Sequence, residues 1–243
     1  MYLVRDIATG IVVNSFKGKK EADAFCDVPE LEVVPHKEAG SVSFSLSNCK
    51  EKMLSITDAC PNYKVFIQGG NNFRYAIDPT YKGNRDPFGK PLHEKEIREY
   101  LIKHWGAEVV ENEETDDKVS YMLAADPENI CIASIDKDLD NTYGHHYNFD
   151  KEVFYYVQKE EADLNFARQL LTGDSTDNVK GIPGCGAAKA LKILPHYTPE
   201  WLSIVKQAYK DNNLSEEYLT IQGQLLWMRR KPEEMWSLEY IYE

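Results

Sequence analysis

Apolar and polar positions along this chain fall into short runs, and each run predicts a small element. Residues 2–16 hold two β-rich runs around Ala8-Thr9-Gly10, which predicts a hairpin, and residues 19–26 predict a short helix after it. Prolines bound residues 29–35 and leave room only for a brief strand. Leu46, Met53, Leu54 and Ile56 predict a helix that starts near Ser47 and ends near Ala59. Residues 63–67 form a β run ending in Gln68-Gly69-Gly70, and a helix, strand and Gly turn in that order suggest a βα unit with a parallel sheet. Prolines and glycines then forbid a long element before Pro91, after which Ile97, Leu101 and Ile102 line one side of a predicted helix over 92–105. A short strand over 106–110 and a helix reaching about Ala125 follow. Residues 129–135, NICIASI, are nearly all apolar, as expected of a central strand buried on both faces. Residues 163–171 read as a helix closed by Gly173, and 201–210 and 215–229 as helices of an α-rich C-terminal part.

Three acid clusters interrupt these elements. Glu114, Asp116 and Asp117 open the helix whose apolar stripe is Val119, Met122 and Leu123; Asp116 continues that stripe and is expected to point inward, where it needs a partner. The alternative is an acidic first turn that complements the helix dipole, with Thr115 as N-cap. Asp136 and Asp138 follow the apolar strand two residues apart, so an extended chain puts both on one face at a strand end, and Asp140 keeps the rhythm. Asp174 and Asp177 stand three apart before a glycine-punctuated hairpin that opens onto a Lys/Ala/Leu helix. Oxygen-only ligands without His or Cys select Mg²⁺ or Mn²⁺ over zinc, and a Gly-rich turn entering a helix offers N–H groups to phosphate. Two such ions roughly 4 Å apart suit in-line attack of water on a phosphodiester. His145 and His146, in YGHHYNF, read as loop residues rather than ligands.

The string GDSTDNVKGIPGCGAAKA (residues 173–190) resembles the signature of the flap endonuclease/5′-3′ exonuclease family, of the phage and bacterial polymerase-associated type. The E-x-D-D and S-x-D-x-D blocks are similar to that family's metal-binding motifs, and similarity runs from about Val65 to Trp236. The resemblance implies an α/β fold: a PIN-like, mostly parallel sheet flanked by helices, with a helical arch segment and a helix-hairpin-helix module. It implies residues 1–60 as an atypical N-terminal hairpin and helix, 61–170 as the catalytic core with the arch at about 72–105, and 171–243 as the hairpin module and C-terminal helices. Carried over by position, Glu114, Asp116 and Asp117 belong to a first metal cluster and Asp136, Asp138, Asp174 and Asp177 to a second. Lys82 and Arg85, in YKGNR, would contact the scissile phosphate beside the catalytic Asp116, Asp117, Asp136 and Asp138, with Arg74 also on the DNA-binding side. Gly181, Gly184, Gly186 and Lys189 would grip duplex backbone, with K⁺ at the hairpin. The implied activity is Mg²⁺-dependent cleavage of 5′-flap or branched DNA, extending to RNA primers in an RNA–DNA hybrid.

Two departures stand out. The family begins with an apolar strand ending in an aspartate, whereas this chain begins with a predicted hairpin; Asp6, after Tyr-Leu-Val-Arg, lies in a β-rich, turn-like stretch. Three explanations are open: a companion chain supplies the strand, which is the favoured one; metal is held by fewer protein ligands and more water; or the protein binds branched DNA with weak chemistry. The second departure is Gln68-Gly69-Gly70, where many relatives carry an acid.

Composition narrows the picture further. A chain of 243 residues with 42% hydrophobic residues can bury a substantial core. Its net charge of −12 argues against a coat held on nucleic acid by overall basicity, yet residues 81–105 carry six Lys/Arg against four acids. Five cysteines at irregular spacing indicate neither a zinc site nor a disulfide framework, which fits a reducing cytoplasm, that of the host for a phage-encoded protein. No apolar run approaches the ~18 residues of a membrane span.

Overall fold

The computed structural model describes residues 2–9, 12–35, 41–85 and 90–239. The chain divides into two compact units, one of residues 1–51 and 86–99, the other of 52–85 and 100–243. In the first, β1 (Tyr2–Asp6) lies between β2 (Val12–Phe16) and β3 (Leu31–Pro35), antiparallel to both. Helix α1 (Lys19–Phe25) buries Ala22, and Val4 is equally buried. The hairpin expected from the sequence is thus the start of a three-stranded sheet. Asp6 ends β1, and its Oδ1 accepts from the Thr9 N–H and hydroxyl, both at 2.7 Å. It is a turn residue. Helix α2 (Val42–Ala59) starts five residues before the expected Ser47.

The second unit carries the parallel strands. β4 (Phe66–Gln68) pairs in parallel with β5 (Glu108–Val110); between them come the single turn α3 (Arg74–Ile77) and α4 (Glu94–Trp105). Helix α5 (Thr115–Ala125) crosses to β6 (Cys131–Ala133), which pairs in parallel with β7 (Gly144–Asn148), itself antiparallel to β8 (Val153–Val157). β7 and β8 were not expected. Their polar and aromatic residues hide a strand pattern that becomes visible only in cross-strand stacks, His146 on Tyr155 and Tyr147 on Phe154. His146 is therefore a strand residue rather than a loop residue, buried, with its Nε2 2.9 Å from the Thr142 carbonyl.

Helices α6 (Lys159–Thr172), α7 (Ala187–Ile193), α8 (Trp201–Asp211) and α9 (Glu216–Leu226) complete the chain. Their shared core is aromatic: Phe166 meets Trp201, Trp227 and Trp236 edge to face, all fully buried. Gly173 ends α6 at φ 70°, and Gly181 returns at φ 57° so close that a Cβ on it would lie 2.3 Å from the Gly173 nitrogen. Only glycines allow that approach, and it fixes the loop carrying Asp174 and Asp177. Among the described residues no helix is long and apolar enough to cross a membrane.

Candidate metal and phosphate site

Three segments of the second unit bring the acids together. Helix α5 starts at Glu114, whose side chain accepts from the Asp117 N–H while Asp117 accepts from the Glu114 N–H at 3.2 Å. Glu114, not Thr115, is the N-cap of a reciprocal capping box. After β6 the chain turns instead of staying extended: Asp136 caps a 3₁₀ turn (Lys137–Asn141) by accepting from the Asp138 N–H at 2.9 Å. That turn, rather than strand alternation, puts Asp136 and Asp138 side by side. It also sends Asp140 away, to Tyr155 at 2.8 Å. Asp174 and Asp177 come from the loop between α6 and the hairpin, where Asp174 and Val179 bond each other's backbone.

Glu114, Asp116, Asp136, Asp138, Asp174 and Asp177 all line one open cavity of about 230 Å³, joined by Lys82 and Arg85. Crowding is evident in their protonation. Burial, then Glu114 and Asp136, push the Asp116 carboxyl up to about 7. Burial, then Asp136 and Asp174, push Asp138 up to about 6. Carboxylates so arranged repel one another unless cations sit between them. The chain's own cations partly fill that role: the Lys82 ammonium bonds Glu114 and lies 3.4 Å from Asp177, and Arg85 Nη2 donates to Asp177 at 2.6 Å. Tyr81 donates to Asp177 at 2.8 Å and lies 3.2 Å from Glu114; burial and these acids drive its phenol far above its ordinary range. The 81–85 segment is fastened there by backbone: the Lys82 N–H reaches the Asp177 carbonyl at 2.9 Å, and Asn84 and Asn178 side chains bond the Ser175 and Thr80 carbonyls.

With the carboxylates drawn to these partners, no three Asp, Glu, His or Cys side chains among the described residues stand close enough together to hold a metal ion as they are. The donor set still fits hard divalent cations, being all oxygen, partly buried and in charge excess.

Other expected site residues are engaged differently, although Arg74 also borders the cavity. Asp117 is wholly buried, clamped in two-point fashion by Arg74 (2.5 and 2.9 Å) and bonded by the Arg229 N–H at 3.3 Å, so no lone pair faces the cavity. The buried stripe of α5 is Asp117, Ser120 and Leu123; Asp116 stands beside it, half-buried on the cavity. Arg74 is 1% exposed and also donates to the Leu225 and Trp227 carbonyls at 2.8 and 2.7 Å. It ties α3 and α5 to the C-terminal end of α9 and presents no free donor to DNA. Gly181 is buried and its N–H is taken by Gln222 at 2.9 Å, whereas Gly184, Gly186 and Lys189 are exposed with open space at both glycines. Gln222 and Tyr81 carry no sequence signal, since nothing local marks a residue whose partners lie 33 to 96 positions away.

No family model matches the chain. It is 26% identical over 216 residues to flap endonuclease Xni of Psychromonas ingrahamii, covering 79% of this chain and 81% of that one. Over 153 residues it is 27% identical to a 5′-3′ exonuclease of Buchnera aphidicola, covering 55% of this chain and 52% of the other. A bacteriophage T5 protein co-crystallised with metal ions shares its fold at a TM-score of 0.54 and 18% identity, over 76% of this chain and 82% of that one. The T5 flap endonuclease in a pseudo-enzyme–product complex with DNA and metal ions does so at 0.53 and 18%, over 79% and 82%. The chain is thus similar in sequence to flap endonucleases and 5′-3′ exonucleases and shares its fold with the T5 structures. The shared architecture is the α/β one described above, with parallel strands and flanking helices.

Proposed function

We propose that this chain is a divalent-metal-dependent, structure-selective 5′ nuclease that hydrolyses phosphodiester bonds in 5′-flap and other branched duplex DNA, with Mg²⁺ as the ordinary ion and Mn²⁺ able to replace it. One observation carries the reading: six carboxylates from three separate segments share a cavity with Lys82 and Arg85. Bound cations would polarise the phosphoryl oxygens and supply hydroxide near neutral pH. Glu114, Asp116, Asp136, Asp138, Asp174 and Asp177 would hold them. Lys82 and Arg85, no longer needed by those acids, would turn to the scissile phosphate and orient it. The exposed amides of Gly184 and Gly186, with Lys189, would hold duplex backbone without reading bases, K⁺ assisting at the same hairpin.

The relatives' names, flap endonuclease and 5′-3′ exonuclease, and the T5 complex with DNA and metal ions support this reading. An RNA primer in an RNA–DNA hybrid offers the same backbone and is proposed as a second substrate, in the cytoplasm. A companion polypeptide completing the sheet is part of the proposal.

Cleavage of a 5′-labelled flap in Mg²⁺ tests it, beside Asp136→Ala/Asp138→Ala. Cutting at the junction that vanishes in the double variant is the expected result. Tight flap binding without cutting by the parent chain would instead favour a branched-DNA binder.

A further inference from the structure

Two strands of the second unit each lack a neighbour. In a parallel ladder alternate residues direct both backbone groups to the same side. The Gly69 N–H bonds the Val110 carbonyl at 2.8 Å and the Glu108 N–H bonds the Val65 carbonyl at 2.9 Å, so residues 65, 67 and 69 address β5. Phe66 and Gln68 therefore point their N–H and C=O groups to the opposite edge. Likewise the Ser134 N–H bonds the Tyr147 carbonyl at 3.0 Å, which leaves Cys131 and Ala133 facing away from β7. Among the described residues none of these eight groups has a backbone partner, and β4 and β6 belong to separate sheets.

Helix α5 packs against both β4 and β6. Both strands end at the acid cavity: Gln68 accepts from the Thr115 N–H at 2.8 Å beside Glu114 and Asp116, and β6 leads directly to Asp136. β6 is apolar, half to fully buried, and free of the Lys, Pro or bulge that usually blunts an edge. Half-buried backbone groups without partners are costly.

We propose that β4 and β6 form a strand acceptor, filled by an extended apolar segment of a second polypeptide that runs parallel to both and joins the two half-sheets into one. A strand with neighbours on both edges and α5 on its face must be apolar, and its C-terminal end emerges at the cavity. The chain's own β1 does not serve, because both its edges are paired within the first unit. This gives the companion polypeptide proposed above a place in the fold, and it is testable without DNA or metal.

The experiment is residue-resolved amide exchange of the full chain, alone and with a soluble peptide carrying Val-Ile-Val-Ile-Asp between lysines, against the same peptide with proline at the second and fourth of those positions. In the chain alone, Phe66, Gln68, Cys131 and Ala133 should exchange faster than Ile67, Gly69, Ile132 and Ser134. The first peptide should slow those four amides roughly tenfold or more, leaving β8 unchanged, and the proline peptide should not. Equal protection of both sets in the chain alone would overturn the acceptor, as would a peptide that slows none of them or slows β8 equally. Flap cleavage, measured separately, reports on the nuclease reading whichever way exchange falls.

Discussion

Asp116 and Asp117 are adjacent in sequence, yet the structure gives their removal opposite signs. The rise of the Asp116 carboxyl from 3.8 to about 7 corresponds to on the order of 4 kcal/mol of unfavourable free energy when the folded, metal-free chain ionises it. The folded state holds this proton more tightly than the unfolded one, so the contribution is nil below about pH 4, grows through the interval to 7, and is complete above it. Asp116→Asn should therefore match the parent near pH 4 and exceed it at pH 8 in EDTA, by at most about 4 kcal/mol. Asp117→Asn strips a fully buried Arg74 of its two-point partner, which costs about 3–5 kcal/mol. Urea unfolding followed by tryptophan fluorescence suits both, since Trp201, Trp227 and Trp236 lie in the core beside this clamp. In Mg²⁺ the parent should recover stability that Asp116→Asn cannot gain to the same degree. An Asp116→Asn no more stable than the parent at pH 8 in EDTA would refute the crowding argument. Equal behaviour of the two variants would refute the division of roles.

Other substitutions probe other parts of the fold. A Cβ at Gly223 would lie 2.0 Å from the Trp236 ring; Gly223→Ala should lose about 1–2 kcal/mol by urea titration, overpacking outweighing the gain in helix propensity. Lys82→Met leaves Glu114 without its buried ammonium, so it should cost on the order of 2 kcal/mol in EDTA and distinctly less in saturating Mg²⁺; an equal loss in both would show that Lys82 does not stand in for a cation. Lys189→Ala, at the exposed hairpin, should weaken duplex binding equally across sequences and reduce the salt slope by about 1 in a fluorescence-anisotropy titration.

Most elements were legible because local pattern decides them: α5 stands where spacing put it, and α6 covers the expected 163–171 but begins earlier, at Lys159. The site was legible as a set of acids but not as a geometry. The phase of α5 turned on Arg74, 43 residues upstream of Asp117, and on the Leu225 and Trp227 carbonyls, 151 and 153 residues beyond Arg74, so Asp117 became the buried member and Asp116 the cavity member. Asp136 and Asp138 converge through a 3₁₀ turn that an alternating-strand argument does not contain. β7 and β8 were hidden because histidine and tyrosine serve there as packing surface, His146 stacked on Tyr155 and His145 edge-on to Tyr156 across the pair. Gly181 reads from sequence as a free amide of a phosphate-binding turn, and only the buried Gln222, 41 residues on, removes it from that role.

The acid cavity also explains why an acidic protein carries its basic residues where it does. Glu114 and Asp177 would be driven apart without positive charge between them, and residues 81–85 deliver it from one fastened turn in which Lys82 adopts a left-handed φ of 55°. That backbone is unfavourable for a long side chain, and it persists because the Lys82 N–H is held by the Asp177 carbonyl and the neighbouring Tyr81 phenol by the Asp177 and Glu114 carboxylates. The turn is thus pinned by the acids it neutralises. Any cation that takes over those carboxylates loosens the side chains of Lys82 and Arg85 while the backbone contacts at Lys82, Asn84 and Asn178 keep them at the cavity mouth. On the proposed function, electrostatic competition among fixed groups would therefore couple ion binding to the release of the Lys82 and Arg85 side chains, with no rearrangement of the fold required.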